Sequence, residues 1–210
     1  AVETVRALVA EGRLTLVEGA YRPVGDLATP AIPDTLRLLI ASRLDALEAD
    51  DRRLLQAASV LGQTFSRDGI GAVTALDPVE LDARLGSLVR RELLAVEADP
   101  RSPERGQYAF VQSLVREVAY GTLARRERRE RHLAVARHYE ALGDEELAGA
   151  LANHYVEAFR ASAPGPEADA VAAQARISLR GAAERAAALG AHAQAVAYAT
   201  QALDVTSAPA

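Results

Sequence analysis

The apolar half of this sequence is almost wholly aliphatic, and that narrows what it can fold into. Hydrophobic residues fill 50% of the 210 positions but aromatic residues only 4%, with three Phe, six Tyr and no Trp. A core built from Ala, Leu and Val has small side chains to interlock, which favours closely packed helices. The length suits one large domain or two small ones, with about 70% of the unfolded chain's surface buried on folding.

Several chemistries are excluded by what is missing. Cys is absent, so the chain offers no disulfide, thiolate metal site or cysteine nucleophile. All 24 basic residues are Arg, which leaves no P-loop lysine and no Schiff-base lysine. A bias toward GC-rich codons accounts for that Arg-for-Lys pattern. The net charge of −5 argues against non-specific nucleic-acid binding as the main task, because that needs a large positive footprint. No run of 18 apolar residues occurs, so no membrane span is expected. The sequence opens at Ala1 inside a helical pattern, without Met or a signal-peptide design, and reads as a cytoplasmic piece of something longer.

Periodicity and turn chemistry divide the chain. Val2, Val5, Leu8 and Val9 recur at helical spacing before Gly12. Arg13 to Val17 reads as a strand, Glu18-Gly19-Ala20 as a turn and Tyr21 to Val24 as the return. Gly25 to Pro33 is a connector, and Pro33 can open a helix that sets Leu36, Leu39, Ile40, Leu44 and Leu47 on one stripe and ends near Glu48. A second helix from about Asp50 carries Leu54, Leu55, Ala58 and Leu61 and closes at Gly62. A short apolar helix spans Arg67 to Leu76. Asp77-Pro78 then caps and opens a third amphipathic helix bearing Leu81, Leu85, Leu88 and Val89. Leu93 to Glu97 and Gln107 to Val111 are β-prone runs separated by Asp99-Pro100 and Ser102 to Gly106. Three helices followed by a β-hairpin is the order of a winged helix-turn-helix.

From Ser113 onward only helices are expected, broken at Gly143-Asp144, Pro164-Gly165-Pro166 and Gly190. Small residues Ala182, Ala183, Ala186, Gly190, Ala195 and Ala202-Leu203 fall where antiparallel helices cross, a spacing similar to a degenerate tetratricopeptide (TPR) repeat. The stripe Val171, Ala175 and Leu179 is expected to be an uncapped repeat end, through which a homodimer can form. The fold class expected is mainly α: a winged helix-turn-helix with small β-hairpins, followed by an α-helical TPR-like region.

Three phrases resemble the regulatory ATPases of the STAND class, in particular bacterial multidomain regulators with an AAA-type ATPase before a helical array. They are Ile32-Pro33-Asp34-Thr35-Leu36 running to Ser42-Arg43-Leu44-Asp45-Ala46-Leu47, then Leu54-Leu55-Gln56-Ala57-Ala58-Ser59-Val60-Leu61-Gly62-Gln63-Thr64-Phe65, and Tyr108-Ala109-Phe110-Val111-Gln112-Ser113-Leu114-Val115-Arg116-Glu117-Val118-Ala119-Tyr120 before an Arg-rich helix with His132. The resemblance implies an ATPase core upstream of Ala1, with residues 1–48 as the end of its lid and linker, 49–123 as the winged-helix domain and 124–210 as the TPR-like domain. It implies ATP or ADP with Mg in the parent protein and no cofactor in this piece. The output of such regulators is a nucleotidyl cyclase or a LuxR-like transcriptional domain. The class places a histidine toward the ADP diphosphate at the position that matches Gln112, and here the chain departs from it: Gln can donate through its amide nitrogen but cannot become cationic. Gln112, with neighbouring Arg116, is the candidate nucleotide-sensing position; the plainer reading of Gln112 is the start of a helix.

Other candidates carry less. The third helix would lead with Asp77, Glu80 and Asp82, carboxylates that repel phosphates, although Arg84, Arg90 and Arg91 follow. The wing adds Glu97, Asp99 and Glu104 against Arg101 and Arg105, so protein contact is favoured over DNA binding. The basic run Arg125, Arg126, Arg128, Arg129 and Arg131 is interrupted by Glu127 and Glu130, with Glu127 and Arg131 placed to pair at i,i+4; it reads as a solvated, salt-bridged face, or as a docking strip for an acidic surface. His132, His138, His154 and His192 lack the spacing of a helical zinc site, and His154 in Asn153-His154-Tyr155 reads as structural. No nucleophile assembles with a base. The function expected is a non-catalytic regulatory and protein-interaction element of a STAND-type signalling ATPase, binding the upstream ATPase domain of its own chain and protein partners on the helical array. The alternative is a winged-helix DNA-binding transcriptional regulator using the helix from Asp77 to Leu94.

Overall fold

The computed structural model describes residues 14–17, 20–23, 34–74, 76–97 and 106–207, and the chain divides into two compact units, Ala1–Leu39 and Ile40–Ala210. In the first unit β1 (Leu14–Val17) pairs antiparallel with β2 (Ala20–Pro23), in the register Leu14↔Pro23 and Val17↔Ala20. This is the hairpin read from the sequence to within a residue at each end. The helix expected around Val2 to Val9 and the connector from Gly25 to Pro33 lie outside the described residues, as do Asp99, Arg101, Glu104 and Arg105.

Helix α1 (Asp34–Asp45) begins in the first unit and ends in the second. Its stripe is only half buried as expected: Ile40, Leu44 and the following Leu47 are covered, whereas Leu36 and Leu39 are exposed. The change falls at the division between the units, where the second unit's core begins.

The second unit opens with three helices and a small sheet. Helix α2 (Ala49–Leu61) starts with Asp50 and Asp51, whose charges suit the helix N-terminus. It ends against Gly62, whose φ of +144° is a conformation other residues rarely adopt. β3 (Thr64–Phe65) follows, then α3 (Arg67–Thr74) and α4 (Pro78–Arg90). Asp77 caps α4 as its sequence implied, accepting from the Val79 and Glu80 N–H groups, with Pro78 in the first turn. β4 (Leu94–Val96) and β5 (Tyr108–Phe110) complete a three-stranded antiparallel sheet of order β3-β5-β4. The sequence showed only two of these strands. Thr64 and Phe65 are strand because β5 pairs with them, Phe65 opposite Tyr108 with the rings stacked at 5.9 Å. Leu54, Leu55, Ile70, Leu81, Leu85, Leu88 and Leu94 are fully buried, an aliphatic core as the composition demanded.

The remainder is helical: α5 (Ser113–Gly121), α6 (Arg125–Leu142), a 3-10 turn at Glu145–Leu147, α7 (Ala148–Arg160), α8 (Pro166–Ala188) and α9 (His192–Ser207). The described residues thus contain nine α-helices and are mainly α. All three expected breaks separate helices, and a fourth at Thr122 to Ala124 divides α5 from α6. Consecutive helices pack on one another from α6 to α9. Their shared core is Ala136, Ala152, Tyr155, Val156, Ala172, Ala175, Leu179, Ala182 and Val205, small residues that let helix axes approach closely. The expectation of an open end at Val171, Ala175 and Leu179 is corrected: all three are buried, because α7 and α9 both pack on α8. The exposed large apolar residues described from α6 to α9 are Leu142, Ile177, Leu189, Val196 and Leu203.

Candidate functional site

The first helices and the helical array meet at the corner between α5 and α6, and the polar residues buried there form one connected cluster. α5 is amphipathic and buries Leu114, Val115 and Ala119. Its last turn brings Tyr120 over α6, where Val135 and Leu123 pack with Val60 of α2 and, at the edge, Val73 and Tyr139. Tyr120 Oη lies 2.9 Å from His132 Nε2, and His132 Nδ1 lies 2.9 Å from Nδ1 of His154 on α7. Each histidine is only 4% exposed.

A neutral imidazole has one donor and one acceptor, so this chain of contacts runs in one of two directions. Either Tyr120 donates to His132 Nε2 and the His132 Nδ1–H donates to His154, or His154 donates to His132 and the His132 Nε2–H donates to the tyrosine oxygen. Protonation of both rings at once would set two N–H groups against each other at the Nδ1–Nδ1 contact. Burial is accordingly the main cause that pushes His132 down to about 3, followed by the charge on His154 and the nearby Arg116 and Arg128. His154 falls to about 4, again chiefly through burial and then Arg116. Burial also raises the Tyr120 hydroxyl, with Glu157 adding to it and Arg128 and Arg116 opposing. At neutral pH both imidazoles are therefore uncharged, and the cluster is a hydrogen-bonded pin that links α5, α6 and α7.

Its surroundings reinforce the joint. Tyr139 meets the His154 ring edge-on at 5.4 Å, and the Arg128 guanidinium sits 4.8 Å from the centre of the Tyr120 ring, in cation–π range. Arg116 Nε donates to the Ser59 carbonyl at 3.0 Å, and Gln56 Nε2 donates to Thr122 Oγ1 at 2.9 Å, so two further contacts tie α5 and its end to α2. Sequence reasoning noted His132 and His154 but did not join them. The available signal was that His132, Val135, Ala136 and Tyr139 fall at i, i+3, i+4 and i+7, as do Leu151, His154, Tyr155 and Ala158 on the next helix: each histidine stands in an apolar stripe.

The sequence candidates fall elsewhere. Gln112 is exposed, sits in extended backbone immediately before α5, and makes no side-chain capping hydrogen bond. Arg116, one turn on, is turned to α2. The basic run is mostly engaged in hydrogen bonds and ion pairs within the chain: Arg125 Nη2 donates to the Ser162 carbonyl at 2.6 Å, the exposed Arg126 pairs with Glu130, Arg128 donates to the Gly121 carbonyl, and Arg129 pairs with Glu167 on α8 at 2.7 Å. Glu127 accepts from the Ala124 N–H at the start of α6 in place of the expected pairing with Arg131.

On α4 the carboxylates have partners inside the unit. Asp82 takes a bidentate contact from Arg67 at 2.6 and 2.9 Å, which holds its carboxyl below the usual carboxylate range. Arg84 reaches Glu80 and Asp50 at 2.7 Å and the buried Asp51 at 3.3 Å, and Ser87 Oγ donates to Asp51 at 2.8 Å. His138 packs beside Tyr139, and His192 lies exposed at the start of α9. Among the described residues no group of three or more His, Asp or Glu could hold a metal ion, and no helix is long and apolar enough to cross a membrane. Comparison of the chain with protein-family models, curated proteins and solved structures finds no match.

Proposed function

We propose that the chain is a non-catalytic regulatory and protein-interaction element of a STAND-type signalling ATPase, a winged-helix unit joined to TPR-like helical pairs. The order α2, β3, α3, α4, β4, β5 with sheet order β3-β5-β4 supports the winged-helix reading, and the antiparallel succession α6 to α9 supports the repeat reading. The observation that carries the function is the joint. Tyr120, His132 and His154 link α5, α6 and α7 through hydrogen bonds, while Arg116 and Gln56 bind α5 and its end to α2. A displacement produced by a partner on the helical array is passed to the winged-helix unit through that corner, and from there to the upstream nucleotide module.

The pairing of Asp82 with Arg67 and of Arg84 with Asp50 counts against α4 as a reader of DNA, since the helix leads with acidic residues and its central arginine is already engaged. Two assays on the chain as it stands test the reading. ATP turnover is expected to be absent, and a mobility-shift series with duplex DNA is expected to show no binding with a steep salt dependence. Turnover would make the chain an enzyme; steeply salt-dependent binding would favour the DNA-binding regulator.

A further inference from the structure

The last helical pair carries an outer surface ill suited to water. α9 has one carboxylate, Asp204, and no arginine, yet beyond Tyr198, Ala202 and Val205, which pack on the core, most of its described side chains are exposed, Val196 and Leu203 by about two thirds. A helix this poor in charge normally has a covered face. Between α8 and α9 lies a groove of about 350 Å³, lined by Arg176, Ile177, Arg180, Ala183, Ala199 and Leu203. Ile177 is 58% exposed at its edge.

The charges on α8 say what fits there. Ile177, Arg180, Gly181 and Glu184 fall at i, i+3, i+4 and i+7, one line along the helix. Arg180 and Glu184 touch only loosely, at 3.7 Å, with 77% and 73% of their side chains exposed. Gly181 lies between them in the middle of a helix, where glycine costs about 1 kcal/mol relative to Ala. A Cβ there would meet nothing within 4 Å, so the chain's own packing does not require the glycine. An antiparallel second copy of α8, related by a twofold axis level with Ala182, midway between Arg180 and Glu184 and one residue from Gly181, brings Arg180 of each copy opposite Glu184 of the other. Ile177 of each then lies over the small residues Ala187 and Ala188 of the other, and the backbones can approach at the glycine. The line is complementary to itself, as an isologous interface requires.

We propose that this face is a homodimer interface in which two copies pack antiparallel through α8 about a twofold axis midway between Arg180 and Glu184, beside Gly181, covering the grooves edged by Ile177 and Leu203. The interface lies on the opposite side of α8 from Val171, Ala175 and Leu179, and it is independent of the regulatory reading above.

Sedimentation velocity on the whole chain tests it, with circular dichroism to verify folding. The wild-type chain is expected to sediment as a concentration-dependent dimer. Ile177→Glu with Leu203→Glu, both exposed in one copy, is expected to weaken association about thirtyfold or more while leaving helicity unchanged. Arg180→Glu is expected to weaken it, and Arg180→Glu combined with Glu184→Arg to restore it. Because the chain has no cysteine, Gly181→Cys provides a single thiol, which is expected to form a disulfide-linked dimer on mild oxidation. A chain that stays monomeric to about 100 µM overturns the proposal, as this leaves an association energy below about 5.5 kcal/mol. So does a dimer indifferent to Ile177→Glu with Leu203→Glu, a charge swap without rescue, or a Gly181→Cys chain that does not cross-link.

Discussion

His132 and His154 face each other through their Nδ1 atoms at 2.9 Å, 22 residues apart in sequence and buried together where the helical array joins the first helices. Only one of those two atoms can carry a proton. The contact is a hydrogen bond between neutral rings, and it makes the joint sensitive to acid.

The folded chain holds His132 at about 3 and His154 at about 4, both below the unfolded value near 6.5. Below that unfolded value the unfolded chain binds more protons, so the stability gained from the neutral pair is complete above pH 6.5 and is lost as pH falls toward 4. With both histidines contributing, the slope reaches at most about 2.7 kcal/mol per pH unit. Urea unfolding measured from pH 7 to pH 5 is expected to show this fall, and His132→Gln with His154→Gln to flatten it. An equally steep fall in the double variant would assign the acid sensitivity to other groups.

Tyr120→Phe removes the hydroxyl beside His132 Nε2 and leaves a buried ring nitrogen unpaired. The expected cost is about 1–3 kcal/mol. Tyr139→Phe supplies the comparison, since Tyr139 touches His154 through its ring. A smaller loss there than for Tyr120→Phe is the expected result of denaturant titration.

Arg84 holds α2 and α4 together by reaching Asp50, Asp51 and Glu80 at once, and Asp51 is only 5% exposed. Arg84→Leu leaves that carboxylate with Ser87 alone, and a loss of about 2–4 kcal/mol is expected. Restoration of much of that stability by adding Asp51→Asn would identify the unpaired charge as the cause.

Helix α4 ends in a Schellman pattern, with Leu93 N–H donating to the Leu88 carbonyl and Glu92 N–H to that of Val89. The residue this motif sets in the left-handed region is Glu92, at φ +56°, where glycine is the usual occupant. Glu92→Gly is therefore expected to stabilise the chain by about 1 kcal/mol, read as a higher urea midpoint at unchanged slope.

What could be read from the sequence was local chemistry. Asp77-Pro78, Gly62, Gly143 and Pro166 mark helix ends through backbone preferences that act within a few residues, and each stands where those preferences put it. What could not be read depends on partners far along the chain. Thr64 and Phe65 have too little length to announce a strand, and β5 makes them one. Leu36 and Leu39 repeat like Ile40 and Leu44, and periodicity alone does not tell where a core begins. The end of α4 lacks the glycine that would have signalled it. The histidine pair needed the packing of α6 against α7, since spacing within either helix says nothing of its partner.

The central claim is that the joint couples the first helices to the helical array, and amide hydrogen exchange at neutral pH tests it most directly. With Tyr120→Phe and His154→Gln together, faster exchange is expected both in α6 and α7 and in the last turn of α2, around Val60 and Leu61. Faster exchange confined to α7, with α2 protected as in the wild-type chain, would contradict the coupling.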